Sequence, residues 1–468
     1  MTNKSSIFKI TLITSLLTVS LLPGFQPATV SANATAANLS AIAGVVQPII
    51  DKAWKDGIRV SVGMEDLSGS YADDGMVLGK DDTYKPASTI KMALVSALMQ
   101  QVDNGTLKLS DTVTVEPADV VGGTGSLQKE SFPKEVTLER LARLMITQSD
   151  NTATNVLIDV VGLDKVQALM DKLGLKVMHL GRKMFASAPT PEQDNYINAA
   201  DLVTLLEKIY DGTFLTTASR NQIITWMAAQ EVNTKFGTAL PDAPIAHKTG
   251  ENANVTHDAG YFLLPGRELA ISVMTEVTTT DDFDQAQALG NPVVQQIAKA
   301  VYNQLAADNA ANEGRPVTRA EFTSLLAREL GLKASPQGKT FSDVAPASLF
   351  YDDIRAAREA GIIYGLSDNS FKGDTILTRA EMTTMFIRAY ELLHGTVNTE
   401  LAELSYKDRS EVPSWAQASI LKASFLNKIR RYADGTFQPS GATTYADAIE
   451  ILSGLWTISK ASNDSKTN

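Results

Sequence analysis

The chain contains no cysteine. That excludes disulfides, thiol nucleophiles and thiolate metal sites together, so any nucleophile must be a hydroxyl or an amine. Basic charge is also in deficit: 42 Lys and Arg stand against 53 Asp and Glu, for a formal net charge of −11. An acidic chain without a basic stripe argues against nucleic acid as a partner. Histidine is scarce, and His179, His247, His257 and His394 show no i, i+4 pairing with a nearby carboxylate of the kind a zinc site uses. No metal and no cofactor is expected. Long apolar runs are missing except at the start, where Lys4 and Lys9 precede residues 10–22, then Pro23, Gly24 and "VSANATA". A basic start, an apolar middle too short to span a bilayer, and the Ala-x-Ala ending at Ala32, Asn33 and Ala34 predict a cleaved export signal over 1–34. No later run is long enough to span a membrane, so a secreted protein is expected.

What is present is the composition of packed globular protein, 44% hydrophobic and 20% charged over 468 residues, enough for two to four domains. Residues 35–306 read as one block. Apolar residues recur at helical spacing from Leu39 to Trp54, and "RVSVGMEDL" (59–67) alternates like a strand, with a partner strand near 76–80. Helical patterns follow at 89–102, 137–147, 152–160, 164–173, 199–210 and 218–229. Strands at 244–249, 258–264 and 269–275 precede a last helix over 284–306. Strands at both ends with helices between predict an α+β domain, an antiparallel sheet with packed helices and an all-helical subdomain.

"ADNAANEGRP" (307–316) is small, polar and rich in breakers, which reads as a linker. Beyond it, 317–458 repeats itself and ends in a polar tail, 459–468. "VTRAEFTSLLARELGL" (317–332) returns as "LTRAEMTTMFIRAYELL" (377–393) and more loosely as "TTYADAIEILSGLW" (443–456). The block starting "FSDVAPASLFYDDIRAAREAG" at 341 returns at 406 as "YKDRSEVPSWAQASILKASFL". The first repeat lacks its front half. A threonine three residues before Glu is a capping box, so part of this motif is helix-starting chemistry.

In "YKPASTIKMALV" (84–95), Ser88 stands one helical turn before Lys91. A neutral, buried lysine there takes a serine proton; a solvated lysine beside a capping serine has the same spacing. Two later motifs add weight: "SDN" (Ser149, Asp150, Asn151) follows a helix, and "KTG" (Lys248, Thr249, Gly250) ends a strand-like run. Ser-x-x-Lys, Ser-Asp-Asn and Lys-Thr-Gly in that order are the set described for class A β-lactamases and penicillin-binding proteins. With "GGTGSL", "LMITQSDNTATNVLID" and "HKTGENANVTHDAGYFLLPGR", residues 40–305 resemble the class A β-lactamase-like serine hydrolases.

The resemblance implies roles. Ser88 would be the acylated nucleophile and Lys91 its general base or a partner of that base, Ser149 would relay the proton to the leaving nitrogen, and Lys248 would keep the potential positive. Thr249 with Lys248 would bind the substrate carboxylate and Asn151 the acyl side-chain amide, with Gly250 and Glu251 also substrate-binding positions. Asp150 would be structural. Backbone N–H groups of Ser88 and Glu251 would form the oxyanion hole, with the Glu251 side chain facing solvent. One departure matters. Class A enzymes carry a loop glutamate that activates the deacylating water; in "HLGRKMFASAPTPEQDNY" (179–196) that position falls on Met184, with Glu192 and Asp194 the nearest candidate bases.

The C-terminal repeats resemble S-layer homology (SLH) modules, which hold exported proteins on Gram-positive cell walls. That resemblance implies an α-helical repeat domain and, for Arg319 and Arg379, contact with an anionic wall polysaccharide. The third repeat has Tyr445 at this position. The leading expectation is an exported, wall-associated serine hydrolase that is acylated by β-lactams on Ser88 and hydrolyses them. The alternatives are a D,D-carboxypeptidase-like enzyme on D-Ala-D-Ala peptides that deacylates slowly, and a non-enzymatic wall-binding protein.

Overall fold

Ile42, Val46 and Ile50 recur along α1 (Ser40–Lys55), so one stripe of this helix is buried. Val60, Val62 and Met64 alternate along β1 (Ile58–Asp66) and meet that stripe in one core. The computed structural model describes residues 38–71, 75–348, 350–399 and 403–455; the expected export signal and the polar tail lie outside them. β2 (Gly75–Gly79) pairs antiparallel with β1. The chain then enters its helical part, with α2 (Lys91–Asp103), a ribbon of β3 (Thr112–Val115) and β4 (Lys134–Thr137), then α3 (Leu138–Thr147), α4 (Asn151–Val161) and α5 (Leu163–Lys172). α6 (Ala199–Asp211), α7 (Thr217–Ala228) and the single turn α8 (Phe236–Ala239) lead back to the sheet. β5 (Ile245–Asn252), β6 (Val255–Phe262) and β7 (Leu269–Val277) complete it in the order β2-β1-β7-β6-β5, every neighbour antiparallel.

α9 (Phe283–Ala310) shares the α1 face of this sheet, and α6 covers the other. Side chains of β7 divide accordingly: Ile271 and Val273 face α1 and α9, while Ala270 and Met274 join the core beneath α2 and α6. α2 is buried nearly all round from Lys91 to Met99, as only a central helix can be. A lysine at its first position is therefore exceptional.

The repeats form α10 (Arg319–Glu329), α11 (Tyr351–Glu359), α12 (Arg379–His394), α13 (Ser414–Phe425) and α14 (Tyr445–Ser453). α10, α12 and α14 each start with a capping box, Thr318 with Glu321, Thr378 with Glu381 and Thr444 with Asp447. The residues just before these caps close a ring: the Val317 N–H donates to the Thr443 carbonyl, Thr443 to Leu377, and Leu377 to Val317, at 2.8–2.9 Å. Charge follows the same ring. Arg319 pairs with Glu381 and Arg379 with Asp447, while Arg315 pairs with Glu321 and lies over the Tyr445 ring. Arg315 thus supplies the guanidinium that the third repeat lacks. The segment expected to be a linker is part of this architecture. α9 continues to Ala310, and the Glu313 and Arg315 carbonyls accept from Ala446 and Tyr445.

The repeats also pack on the sheet domain. The Tyr445 hydroxyl donates to the Gly266 carbonyl in the β6–β7 turn, and a side chain at Gly69 would strike the Arg328 guanidinium. At the centre of this contact Glu268 and Glu329, both buried, share a hydrogen bond, with Tyr210, Arg220, Arg267 and Tyr445 around them. Burial, then the neighbouring Glu329 charge, pushes the Glu268 carboxyl well above its usual range. A raised folded-state pKa gives stability that is complete below the unfolded value of about 4.3 and is lost as pH rises. Glu329→Gln removes the like charge, so its melting temperature should gain on the parent as pH increases. Thermal melts across the acid-to-alkaline range check this, and a pH-independent difference between the two proteins overturns it.

Candidate active site

Ser88 lies in a 3-10 turn, Ala87–Ile90, that runs directly into α2. Ala87 before it takes φ 47°, a left-handed conformation that non-glycine residues hold only where their surroundings impose it. Two contacts do so. The buried His257 accepts the Thr275 N–H on Nδ1, so Nε2 carries the proton and donates to the Lys85 carbonyl at 2.9 Å. Burial holds this ring neutral, down to about 4. On the other side β5 presses on the turn so closely that a Cβ at Gly250 would lie 2.9 Å from Thr89.

Lys91 is fully buried, and its Nζ lies 2.7 Å from the Ser149 carbonyl, 2.9 Å from Asn151 Oδ1 and 3.1 Å from Ser149 Oγ. Lys248, on β5 and equally buried, reaches the same hydroxyl at 3.1 Å and the Thr249 carbonyl at 2.7 Å. One hydroxyl thus sits between two amines. Burial pulls the Lys91 amine well below its ordinary range, and the Lys248 charge pulls it further. Lys248 is lowered to about 7, by burial first, with the Lys235 charge acting the same way against Asp258 and Glu251. The pair can therefore hold one neutral amine and one ammonium, with the Ser149 hydroxyl as the bridge between them.

Ser149 also adopts a left-handed backbone, φ 57°. Its carbonyl accepts from Thr124 Oγ1 at 2.7 Å, and Asp150 clamps the loop from inside. The Asp150 carboxylate caps α4 through the Ala153 N–H and takes the Leu127 N–H with its other oxygen, each at 2.8 Å. Asn151 opens α4. Ser88, Ser149, Asn151, Thr249 and Glu251 together line one cleft of about 500 Å³.

Met184 lines this cleft as well, its amide and carbonyl held by the Asn155 side chain at 2.7 and 3.1 Å. Glu192 and Asp194 do not line it. Asp194 clasps the loop instead, bonded to Arg182 at 2.7 Å and to Lys85. Partial burial is outweighed by those cations and the Asn195 N–H, which hold its carboxyl down at about 2, too weakly basic for a water-activating base. Glu192 is exposed, its carboxylate bonded to Thr190 and its backbone carbonyl to His179. The Glu251 side chain does not face solvent as expected. It pairs with the fully buried Lys235 and accepts from Thr234, so the one carboxylate among the described residues lining the cleft is already occupied. Lys235 belongs to no motif, and nothing in the sequence singles it out.

In the repeats, Arg379 is not a free cation. It is 2% exposed, with each of its three nitrogens donating inward, to the Phe437 and Arg430 carbonyls and to Asp447. Arg319 keeps more exposure, bonded to Glu381 and the Tyr364 carbonyl over the Phe371 ring.

The profile described as "Beta-lactamase enzyme family" matches residues 42–305, and that of the S-layer homology domain matches 340–383 and 405–449. A beta-lactamase structure from Sphaerobacter thermophilus DSM 20745 is 27% identical, with TM-score 0.51, over 58% of this chain and 98% of that one. PBP-A is 26% identical at TM-score 0.51, over 58% of this chain and 97% of its own, and a variant of it has been solved as an acyl-enzyme complex with penicillin-G. An endoglucanase of Bacillus sp. (strain KSM-635) is 36% identical over 149 residues, 32% of this chain and 15% of its own length. The chain spans only 8–19% of the first curated relatives it matches.

The clamp made by Asp150 has a measurable cost of removal. Asp150→Ala loses the α4 cap and leaves the buried Leu127 N–H unpaired, together about 2–4 kcal/mol. Denaturant unfolding should show a lower midpoint with an unchanged slope; an unchanged midpoint would show that the carboxylate does not hold the loop.

Proposed function

This chain belongs to the beta-lactamase enzyme family, and from that premise we propose that it is a wall-associated serine hydrolase in which Ser88 is acylated readily and released slowly. Its proposed substrates are β-lactams and the terminal amide of D-Ala-D-Ala peptides. The Ser88 hydroxyl attacks the carbonyl and gives its proton to neutral Lys91, while the Ser149 hydroxyl delivers a proton to the leaving nitrogen and is resupplied from the two lysines. Lys248 and Thr249 receive the substrate carboxylate, Asn151 the side-chain amide. The N–H groups of Ser88 and Glu251 hold the oxyanion, a contribution of about 3 kcal/mol per donor.

The observation that supports slow release is Met184. It occupies the cleft position where a water-activating glutamate was expected, and of the nearby carboxylates Glu251 is tied to Lys235 and Asp194 to Arg182 and Lys85, while Glu192 does not line the cleft. Incubation with penicillin should give a Ser88 adduct by intact mass that outlasts the free drug, and Ser88→Ala should give none. Met184→Glu should shorten the adduct's lifetime by about 10²-fold, the usual worth of a general base. Rapid penicillin turnover by the parent protein would overturn the slow-release reading.

The SLH segments support attachment to an anionic wall polymer, and Arg319, at 13% exposed against 2% for Arg379, is the arginine we assign to it. In pelleting with purified cell walls, the full chain should sediment, and Arg319→Ala should weaken this several-fold at a temperature where the variant is still folded. Arg379→Ala should instead unfold earlier, because it strands buried Asp447, at about 3–5 kcal/mol. A full chain that stays in the supernatant refutes attachment.

A further inference from the structure

We propose that the Phe185 ring acts as an aromatic clamp on the acyl side chain and selects substrates in which that group is apolar; the proposal rests on the acyl-enzyme reading above. The ring lines the cleft, and at 69% exposed it is the most exposed large apolar side chain among the described residues. Phe185 is held there against its own backbone preference. It is the third residue of a turn closed by the Ala186 N–H on the Lys183 carbonyl, with φ 63°, where glycine or asparagine is the usual choice. The turn cannot relax, because Asn155 grips both backbone groups of Met184 just before it. An imposed conformation that carries an apolar ring into solvent at a cleft is a mark of function rather than of packing.

The ring's position says which part of a substrate it meets. A Cβ at Gly123 would lie 2.9 Å from Phe185 Cζ and 2.7 Å from Asn151 Nδ2. The Phe185 ring therefore rests over bare glycine backbone, immediately beside the amide proposed to hold the acyl side-chain amide. Whatever extends beyond that amide runs onto the ring. Met184, the residue before Phe185, lines the cleft as well and makes the adjoining surface apolar. The carboxylate end of the cleft, by contrast, is lined by Ser149, Thr249 and Glu251. A polar end and an aromatic end orient a substrate that has one anionic and one apolar terminus.

The test compares, on the full chain, the rate of Ser88 adduct formation with benzylpenicillin and with the bare penicillin nucleus, whose amine carries no acyl group. The parent should favour benzylpenicillin. Phe185→Ala should shrink that preference about fivefold to tenfold while leaving the rate with the bare nucleus unchanged. Phe185→Leu should restore most of the preference, which a general disturbance of the loop would not allow. If Phe185→Ala forms both adducts with the parent's preference intact, the clamp is wrong and the acyl-enzyme reading stands. If the parent forms no adduct with either probe, the acyl-enzyme reading itself fails.

Discussion

One hydroxyl between two buried amines sets the terms for the whole catalytic domain. Two ammonium groups cannot share the Ser149 oxygen out of water, so the site exists only if the fold forces one of them to be neutral. That demand reaches far. The strand bearing Lys248 must lie against the turn bearing Ser88, and Gly250 is what lets it approach. The Ser149 backbone must be left-handed to turn its hydroxyl inward, and Asp150 and Thr124 hold it so. Lys235, deeper in, adds charge that lowers Lys248 further and is itself balanced by Glu251. The sheet, the helical part and the connecting loops are each anchored to this cluster of amines.

On the proposed function, the same arrangement supplies only half of a hydrolytic cycle. A neutral amine, a relaying hydroxyl and a charged amine are what forming an acyl-enzyme needs. Breaking it with water calls for a second base at a different place, and there the loop presents a thioether, with Asp194 locked into ion pairs and Glu192 off the cleft. The loop is no less ordered for lacking the glutamate: Asn155, Asn195 and the Arg182–Asp194 pair hold it firmly. Its shape has been kept and its surface given to apolar contact.

The parts legible in the sequence were those encoded by short-range chemistry. Ser88 and Lys91 share one turn, Ser149 to Asn151 are consecutive, and Lys248 to Glu251 are consecutive on one strand, so motifs could mark them. Alternation along β1 and β7 and the helical spacing of α1 placed those elements within a few residues. The ribbon of β3 and β4 was missed because four-residue strands carry too little alternation to register. Residues 307–310 read as linker from small polar composition, yet alanine is a strong helix former and α9 simply continues. Lys235 and Phe185 matter through what tertiary packing places beside them, which no local pattern records. The burial of Arg379 is of the same kind, since its partners come from the third repeat, tens of residues away.

The ring of backbone bonds that joins the three repeats closes through the chain that enters it, and this changes what a tether means here. Ten residues of flexible chain would let a catalytic domain wander through a radius of roughly 17 Å about its attachment point. A helix running from the sheet to Ala310, with Glu313 and Arg315 captured by the third repeat, abolishes that freedom. On the proposed wall attachment, the cleft then faces one fixed direction relative to the polymer that holds it. Encounter with an immobile wall peptide is set by where the molecule happens to be planted, whereas a diffusing small molecule reaches it from any side. A rigid mount of this sort suits interception better than patrol.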